Sequence, residues 1–139
     1  MIVLDTNVLS EVLRPAPVAS VLAWLAKQQR AALFTTSITR GEILYGVQSL
    51  PAGSQKEMLR NAVMGIFNSD FAGQLLSFDS DAADLYANIA TSRKRVGRPI
   101  SQSDAMIAAI TLSRGASLAT RNVKDFVDCG IEIIDPWSV

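Results

Sequence analysis

The sequence contains no histidine. Without an imidazole, the chain has no Ser-His-Asp or Cys-His nucleophile, no His-ligated zinc site and no imidazole base. If the protein is an enzyme, its chemistry must therefore depend on carboxylates, hydroxyls, amines or a bound metal ion.

Cysteine and long apolar runs are also scarce. Cys129 is the single cysteine, so no internal disulfide can form, which suits a reducing cytosol. The start, "MIVLDTN", lacks the basic region of a signal peptide. No apolar run approaches the roughly 20 residues needed to span a bilayer. We therefore expect a cytoplasmic protein with no membrane association.

Neither sign of charge is in excess. The 13 Lys and Arg residues balance 13 Asp and Glu residues, and the pI is near 6.2. No global basic field marks a nucleic-acid binder, so any such contact must be local. A length of 139 residues with 49% hydrophobic content fits one domain, residues 1–139, with a substantial core.

Strand and helix patterns alternate along the chain. Strands are predicted at residues 2–4, 33–38, 75–78, 117–120 and 131–134. Helices are predicted at residues 8–13, 18–29, 39–50, 54–68, 81–95 and 103–114. This alternation predicts an α/β fold with a largely parallel sheet and helices on both faces. Ligands of such sheets bind beyond the carboxyl ends of the strands.

Four acidic residues are predicted near that edge of the sheet. Asp5 directly follows the first strand, Glu42 and Asp104 lie in the first turns of their helices, and Asp125 follows the fourth strand. Two charges ~4 Å apart repel by about 4 kcal/mol at an effective dielectric of 20. Clustered carboxylates therefore take up protons or need a cation. Oxygen ligands without His or Cys favour Mg²⁺ or Mn²⁺, which activate water and stabilise phosphoryl charge.

Three of these acids also have purely structural interpretations. Thr39-x-x-Glu42 matches a capping box, and Ser101-x-x-Asp104 has the same form. An acid in a first turn is also favoured by the helix dipole. Asp125 can cap a turn. The metal-site hypothesis therefore depends on whether the acids converge in space.

Four segments together resemble the PIN-domain toxins, most closely their VapC/FitB branch. They are "LDTNVLSE", "SITRGEILYGV", "ISQSDAMIAAI" and "LATRNVKDF", and the likeness extends to the final "DPW". The resemblance implies a single PIN domain with a four- to five-stranded parallel sheet flanked by helices. It also implies a Mg²⁺-dependent ribonuclease, with Mn²⁺ as a possible substitute, that leaves 5′-phosphate and 3′-hydroxyl ends.

The resemblance also assigns the acids. Asp5, Glu42 and Asp104 match the three core acids of the family, which implies that they are catalytic and bind the metal ion. The fourth acid is open. Many relatives place an acid directly after the "TR" pair, where this chain has Asn122, whereas Asp125 occupies a position where an acid before Phe is common. The resemblance therefore implies that Asp125 completes the site as a catalytic acid, or that Asn122 does so through a second ion.

Supporting roles follow from the same resemblance. Thr120 resembles the hydroxyl beside the metal, Thr6 and Asn7 resemble groups that support or cap the site, and Asn122 can still offer its amide oxygen.

The one dense basic run is "TSRKRVGR", residues 91–98. Its Arg93, Lys94, Arg95 and Arg98 are candidate RNA-binding residues, because RNA phosphates could lie along them. The alternative is a solvated helix C-terminus, where cations suit the dipole. Both interpretations remain open at this stage.

A type II toxin–antitoxin role is the biological implication of the resemblance. It implies a cognate VapB/FitA-like antitoxin encoded next door, an RNA substrate, a homodimer that joins a larger assembly, and DNA contact only through the antitoxin. Apolar faces on helices 18–29 and 54–68 could receive the antitoxin, although such faces are usually core. The alternative function is a catalytically silent PIN-fold interaction domain within a DNA-binding antitoxin complex.

Overall fold

A five-stranded parallel sheet forms the centre of the computed structural model, which describes residues 1–139. Its strands are β1 Ile2–Leu4, β2 Leu33–Thr36, β3 Leu75–Leu76, β4 Ser117–Ala119 and β5 Ile133–Ile134. The spatial order is β3-β2-β1-β4-β5, and every neighbouring pair is parallel. The predicted parallel sheet is confirmed. Because the order reverses between β1 and β4, their carboxyl ends flank a topological switch point.

Six helices surround the sheet. They are α1 Thr6–Val12, α2 Ala19–Lys27, α3 Ser37–Gln48, α4 Ser54–Gly65, α5 Ser80–Arg95 and α6 Gln102–Ser113. Helix α4 continues into a π-helical turn at Ile66–Asp70, and 3₁₀ turns occur at Arg30–Ala32 and Val123–Phe126.

The two faces of the sheet bury separate core layers. Successive strand side chains point to opposite faces. Val3 and Leu118 therefore pack in one cluster with α5 and α6, whereas Leu4 and Ala119 pack in another with α1 to α4. The expected helices on both faces are confirmed, since each layer is covered.

The start of α3 differs from the prediction. Strand β2 ends at Thr36 and the helix begins at Ser37, because the Thr36 hydroxyl accepts a hydrogen bond from the Thr39 backbone N–H at 3.0 Å. The cap residue is therefore Thr36, and Glu42 lies in the second turn. The capping-box interpretation of Thr39-x-x-Glu42 is wrong.

The helices were also compared with the requirements of a membrane span. None combines sufficient length with sufficient apolar character to cross a bilayer.

Candidate active site

Asp5 lies at the switch point, where strand β1 turns into helix α1. Its backbone N–H continues the pairing of β1 with β4 by donating to the carbonyl of Ala119 at 2.9 Å. Its Oδ1 accepts from the Thr6 backbone N–H at 2.8 Å, so the side chain also caps α1. Only 3% of Asp5 is exposed. Asp5 therefore follows the last residue of β1 and caps α1 while almost fully buried.

The second oxygen of Asp5 is held by two side chains that the sequence predicted as supporting groups. The Thr120 hydroxyl donates to Asp5 Oδ2 at 2.8 Å, and Asn7 Nδ2 donates to the same oxygen at 3.3 Å. Asn7 Nδ2 also donates to Thr120 Oγ1 at 3.1 Å, as does the Asn122 backbone N–H at 3.1 Å. These bonds fix the orientation of the carboxylate across the switch point.

Glu42 is aligned by the residue that follows Asp5. The Thr6 hydroxyl donates to Glu42 Oε1 at 2.7 Å, and its oxygen lies 3.0 Å from Thr39 Oγ1. Because a hydroxyl has one proton, the Thr39 hydroxyl is the donor to Thr6. The chain Thr39, Thr6, Glu42 therefore ties the start of α1 to α3.

Asp104 approaches from the first turn of α6. The Ser101 hydroxyl accepts from the Asp104 backbone N–H at 3.2 Å, so the predicted cap at Ser101 is observed. Partial burial raises the pKa of Asp104, and the carboxylates of Asp125 and Glu42 raise this pKa further. Asp125 itself lies exposed in the 3₁₀ turn after β4.

Asp5, Glu42 and Asp104 line one open cleft of about 440 Å³, which we call the acid cleft. The side chains of Thr6 and Asn7 also line it. Of the three other residues predicted for the site, only one lines the acid cleft. Asn122 lines the acid cleft, Thr120 is buried behind Asp5, and Asp125 does not reach the lining.

The charges of the acid cleft act on Asp5. Burial raises the pKa of Asp5 to about 6, and the carboxylates of Asp104 and Glu42 add to the rise. The hydrogen bonds from Thr120 and Thr6 oppose it. Without a cation, folding therefore holds Asp5 in a site that disfavours its own charge.

The donor set fits a hard divalent cation. Its oxygens come from carboxylates, hydroxyls and an amide, and a positive charge would relieve the like-charge repulsion around Asp5. No group of three acidic side chains already surrounds a single ion position. Mg²⁺ is commonly held by one or two carboxylates, with water filling the other positions, so this open arrangement suits it.

Arg93 departs from the predicted basic run because it is buried, with 5% of the residue exposed. Its Nε donates to the Arg98 carbonyl at 2.8 Å. Its Nη1 donates to the carbonyls of Asp125 and Val127 at 2.8 and 3.0 Å. The guanidinium thus holds two loops together and is not available to RNA.

The other members of the run are exposed but lie outside the acid cleft. Arg98 forms a salt bridge with Asp128, and Lys94 and Arg95 lie at the end of α5. None of them lines the acid cleft.

Sequence reasoning missed five residues of the acid cleft: Ser10, Glu11, Arg14, Arg121 and Trp137. Arg121 had a signal, since it directly follows Thr120 in the "TR" pair. Trp137 belongs to the "DPW" that contributed to the family resemblance. Ser10 and Glu11 belong to "LDTNVLSE", which also contributed to the resemblance, whereas nothing in the sequence placed Arg14 beside the acids.

Comparison with known proteins identifies the class. A PIN-domain family model matches residues 2–129, so this chain belongs to the PIN-domain family. VapC ribonuclease Y4jK of Sinorhizobium fredii is 38% identical over 137 residues, covering 99% of this chain and 98% of that protein. Toxin FitB of Neisseria gonorrhoeae is 36% identical over 137 residues, covering 99% of each. A solved structure of FitAB bound to an IR36 DNA fragment gives a TM-score of 0.94 at 35% identity, covering 100% of this chain and 97% of that chain.

Proposed function

We propose that this chain is the toxin ribonuclease of a type II toxin–antitoxin pair and hydrolyses RNA phosphodiester bonds with Mg²⁺, which Mn²⁺ can replace. The observation that carries the proposal is the convergence of Asp5, Glu42 and Asp104 on one cleft at the carboxyl edge of the sheet. Whole-chain similarity to a VapC ribonuclease and to toxin FitB supports the same function.

Asp5, Glu42 and Asp104 are the residues that would hold the ion. A bound divalent cation supplies two effects, a lowered pKa of water and stabilisation of charge on a phosphoryl group. Thr120 orients the Asp5 carboxylate, because its hydroxyl donates to Oδ2. Thr6 does the same for Glu42 through Oε1. The chain thus holds two ligand groups in a set orientation before substrate arrives.

Two further residues act from the margin of the site. Asn122 offers a neutral amide within the acid cleft, where it can orient water or a phosphate oxygen. Asp125 contributes negative charge near Asp104, whose pKa it raises. The expected products carry 5′-phosphate and 3′-hydroxyl ends.

The biological setting follows from the relatives. We propose that the chain, as one PIN domain over residues 1–139, works in the cytoplasm, forms a homodimer and is inhibited by a VapB/FitA-like antitoxin encoded next door. DNA is then contacted through the antitoxin. Solved structures of FitAB and of VapBC2 from Rickettsia felis, both bound to DNA fragments, support this assembly.

A cleavage assay tests the proposal. Purified protein is incubated with structured and single-stranded RNA in the presence of Mg²⁺, Mn²⁺ or a chelator. Asp5→Asn is compared with Asp84→Asn, which alters an exposed acid on α5 that does not line the acid cleft. We expect metal-dependent cleavage that falls about a thousandfold in Asp5→Asn, which is ~4 kcal/mol of activation free energy. Asp84→Asn should cleave normally, and equal cleavage by all three proteins would indicate a contaminant.

Asn122 favours one alternative, a catalytically silent interaction domain, because it removes a charge where many relatives have an acid. Such a domain would bind the protein encoded next door and cut no RNA under any metal condition. The same assay, run beside an antitoxin pull-down, separates the two functions.

A further inference from the structure

The acid cleft contains two arginines in different electrostatic states. Arg14 is neutralised by Glu11, since its Nη1 lies 3.1 Å from Glu11 Oε1. Arg121 takes part in none of the three salt bridges of the structure. Its guanidinium is therefore the cation of the acid cleft that has no salt-bridge partner, and its charge contributes to the lowered pKa of Glu11.

Arg121 is held in place by its backbone and by an aromatic ring. Its backbone N–H donates to Asn7 Oδ1 at 3.3 Å, and Asn7 Nδ2 donates to Asp5, so Arg121 is linked to the carboxylate network through Asn7. Its guanidinium carbon lies 5.4 Å from the centre of the Trp137 ring. An aromatic face contacts the plane of a guanidinium and leaves the N–H groups at its edge free to donate.

Trp137 is itself positioned by a turn after β5. Asp135 Oδ1 accepts from the Trp137 backbone N–H at 3.0 Å, and Asp135 Oδ2 accepts from Ser138 Oγ at 2.9 Å. The ring packs against the core layer that contains Leu4 and Ala119. This turn, rather than a polar bond to the indole, fixes the ring, because Trp137 Nε1 has no hydrogen-bond partner.

We propose that Arg121 is the phosphate-binding residue of the acid cleft and takes the backbone phosphate next to the scissile one in single-stranded RNA. This inference rests on the proposed function. A polyanion entering among three carboxylates needs positive charge beyond that of a metal ion. A planar guanidinium presents paired donors that match two phosphate oxygens. The predicted basic run cannot supply them at this place, since none of its residues lines the acid cleft.

A binding titration tests the role of Arg121. A fluorescein-labelled single-stranded RNA oligonucleotide is titrated with wild type, Arg121→Gln and Arg121→Lys, with EDTA present to prevent cleavage. Arg114→Gln is the matched control, because Arg114 is an exposed arginine at the end of α6 outside the acid cleft. Circular dichroism checks that each variant is folded.

The expected result is a specific loss of one phosphate contact. Arg121→Gln should bind about tenfold more weakly, and its dependence of log K on log salt should flatten by ~0.7, the slope of one phosphate on a single strand. Arg121→Lys should lie between, because it keeps the charge and loses the planar fork. In cleavage assays with Mg²⁺, Arg121→Gln should raise KM and leave kcat close to wild type.

Three outcomes would overturn the inference: unchanged affinity and salt slope in Arg121→Gln, an equal loss in Arg114→Gln, or no RNA binding by the wild type. A failure of the proposed function looks different. In that case the wild-type protein binds RNA and Arg121→Gln still weakens this binding, yet the wild type cleaves no RNA when Mg²⁺ or Mn²⁺ is supplied.

Discussion

Asp5 and Glu11 are two buried carboxylates of the same cleft, six positions apart, with opposite electrostatics. Both are under 5% exposed, at 3% and 4%. The pKa of Asp5 is raised by burial and by neighbouring acids. The pKa of Glu11 is lowered, first by the Val18 backbone N–H at 3.0 Å and then by Arg14, against the opposing effect of burial.

The difference distinguishes a carboxylate with a structural role from one suited to bind a metal ion. Glu11 has its positive partner within the chain, so folding alone satisfies it. Asp5 receives hydrogen bonds from neutral donors only, and the charged groups that shift its pKa are the acids Asp104 and Glu42. A group that remains ionised in such a place needs a cation from solution. The comparison therefore predicts which carboxylates respond to metal.

The comparison can be extended to Asp104 and Asp125. The largest expected effect is the difference in RNA cleavage between variants of these two acids. Asp104→Asn should reduce RNA cleavage about a thousandfold, because it removes a carboxylate that lines the cleft. Asp125→Asn should reduce cleavage by less than about tenfold, because this exposed side chain acts only through its charge. Initial rates at saturating Mn²⁺ measure both. Equal losses would make Asp125 the fourth acid of the site.

A smaller effect, on metal affinity, should follow from removing one hydrogen bond to Asp5 while keeping its charge. Thr120→Val removes the hydroxyl that donates to Asp5 Oδ2 and conserves the shape of the side chain. Removing a group that orients a metal-binding side chain typically lowers metal affinity by about 10- to 100-fold. Isothermal titration calorimetry with Mn²⁺ would detect this loss. Thr91→Val is the control, since that hydroxyl bonds only to carbonyls of its own helix. An unchanged Mn²⁺ affinity in Thr120→Val would show that Asp5 needs no such support.

The comparison also predicts a pH dependence of stability with opposite signs for the two carboxylates. The folded-state pKa of Asp5 is about 6, above its ordinary 3.8. Its contribution is therefore present below about pH 4 and lost as the pH rises through about 6 in metal-free protein, by ~3 kcal/mol. The pKa of Glu11 is depressed, so its contribution is present above about pH 4.5 and lost as the pH falls through the folded-state pKa.

Urea denaturation across this range in EDTA measures both contributions. Asp5→Asn should reduce the loss of stability as the pH rises from about 4 to 6 and leave the part due to Asp104, whose pKa is also raised. Glu11→Gln should remove the loss of stability at more acidic pH. Saturating Mg²⁺ should cancel the Asp5 effect in wild type by stabilising the ionised form. A wild-type profile that is flat between pH 4 and 6 in EDTA would contradict the uncompensated state of Asp5.

Sequence patterns predicted the strands, the helices and the edge of the sheet at which the acids gather. That success has a local cause, because strand ends and helix starts are encoded by nearby residues, as at Asp5 and at the Ser101 cap. The hydroxyl link from Thr6 to Glu42 joins residues 36 positions apart and has no local signal. Its discovery requires the relative placement of α1 and α3.

The basic residues show the same limit. A dense run of charge predicts exposure, but Arg93 is drawn inward by carbonyls 32 and 34 positions away. Arg121 is a single cation whose one signal is the "TR" pair, and its contact with Trp137 exists only once β5 lies beside β4. Isolated residues brought together by strand order cannot be found by composition or periodicity.

The bonds around Thr6 have a mechanical consequence. Its backbone N–H donates to Asp5 and its hydroxyl donates to Glu42, so one residue contacts both carboxylates. A displacement of α1 would therefore be transmitted to Glu42 on α3 through the Thr6 hydroxyl. No hydrogen bond joins Asp104 on α6 to either carboxylate, so Asp104 is the acid that can adjust its position relative to the other two.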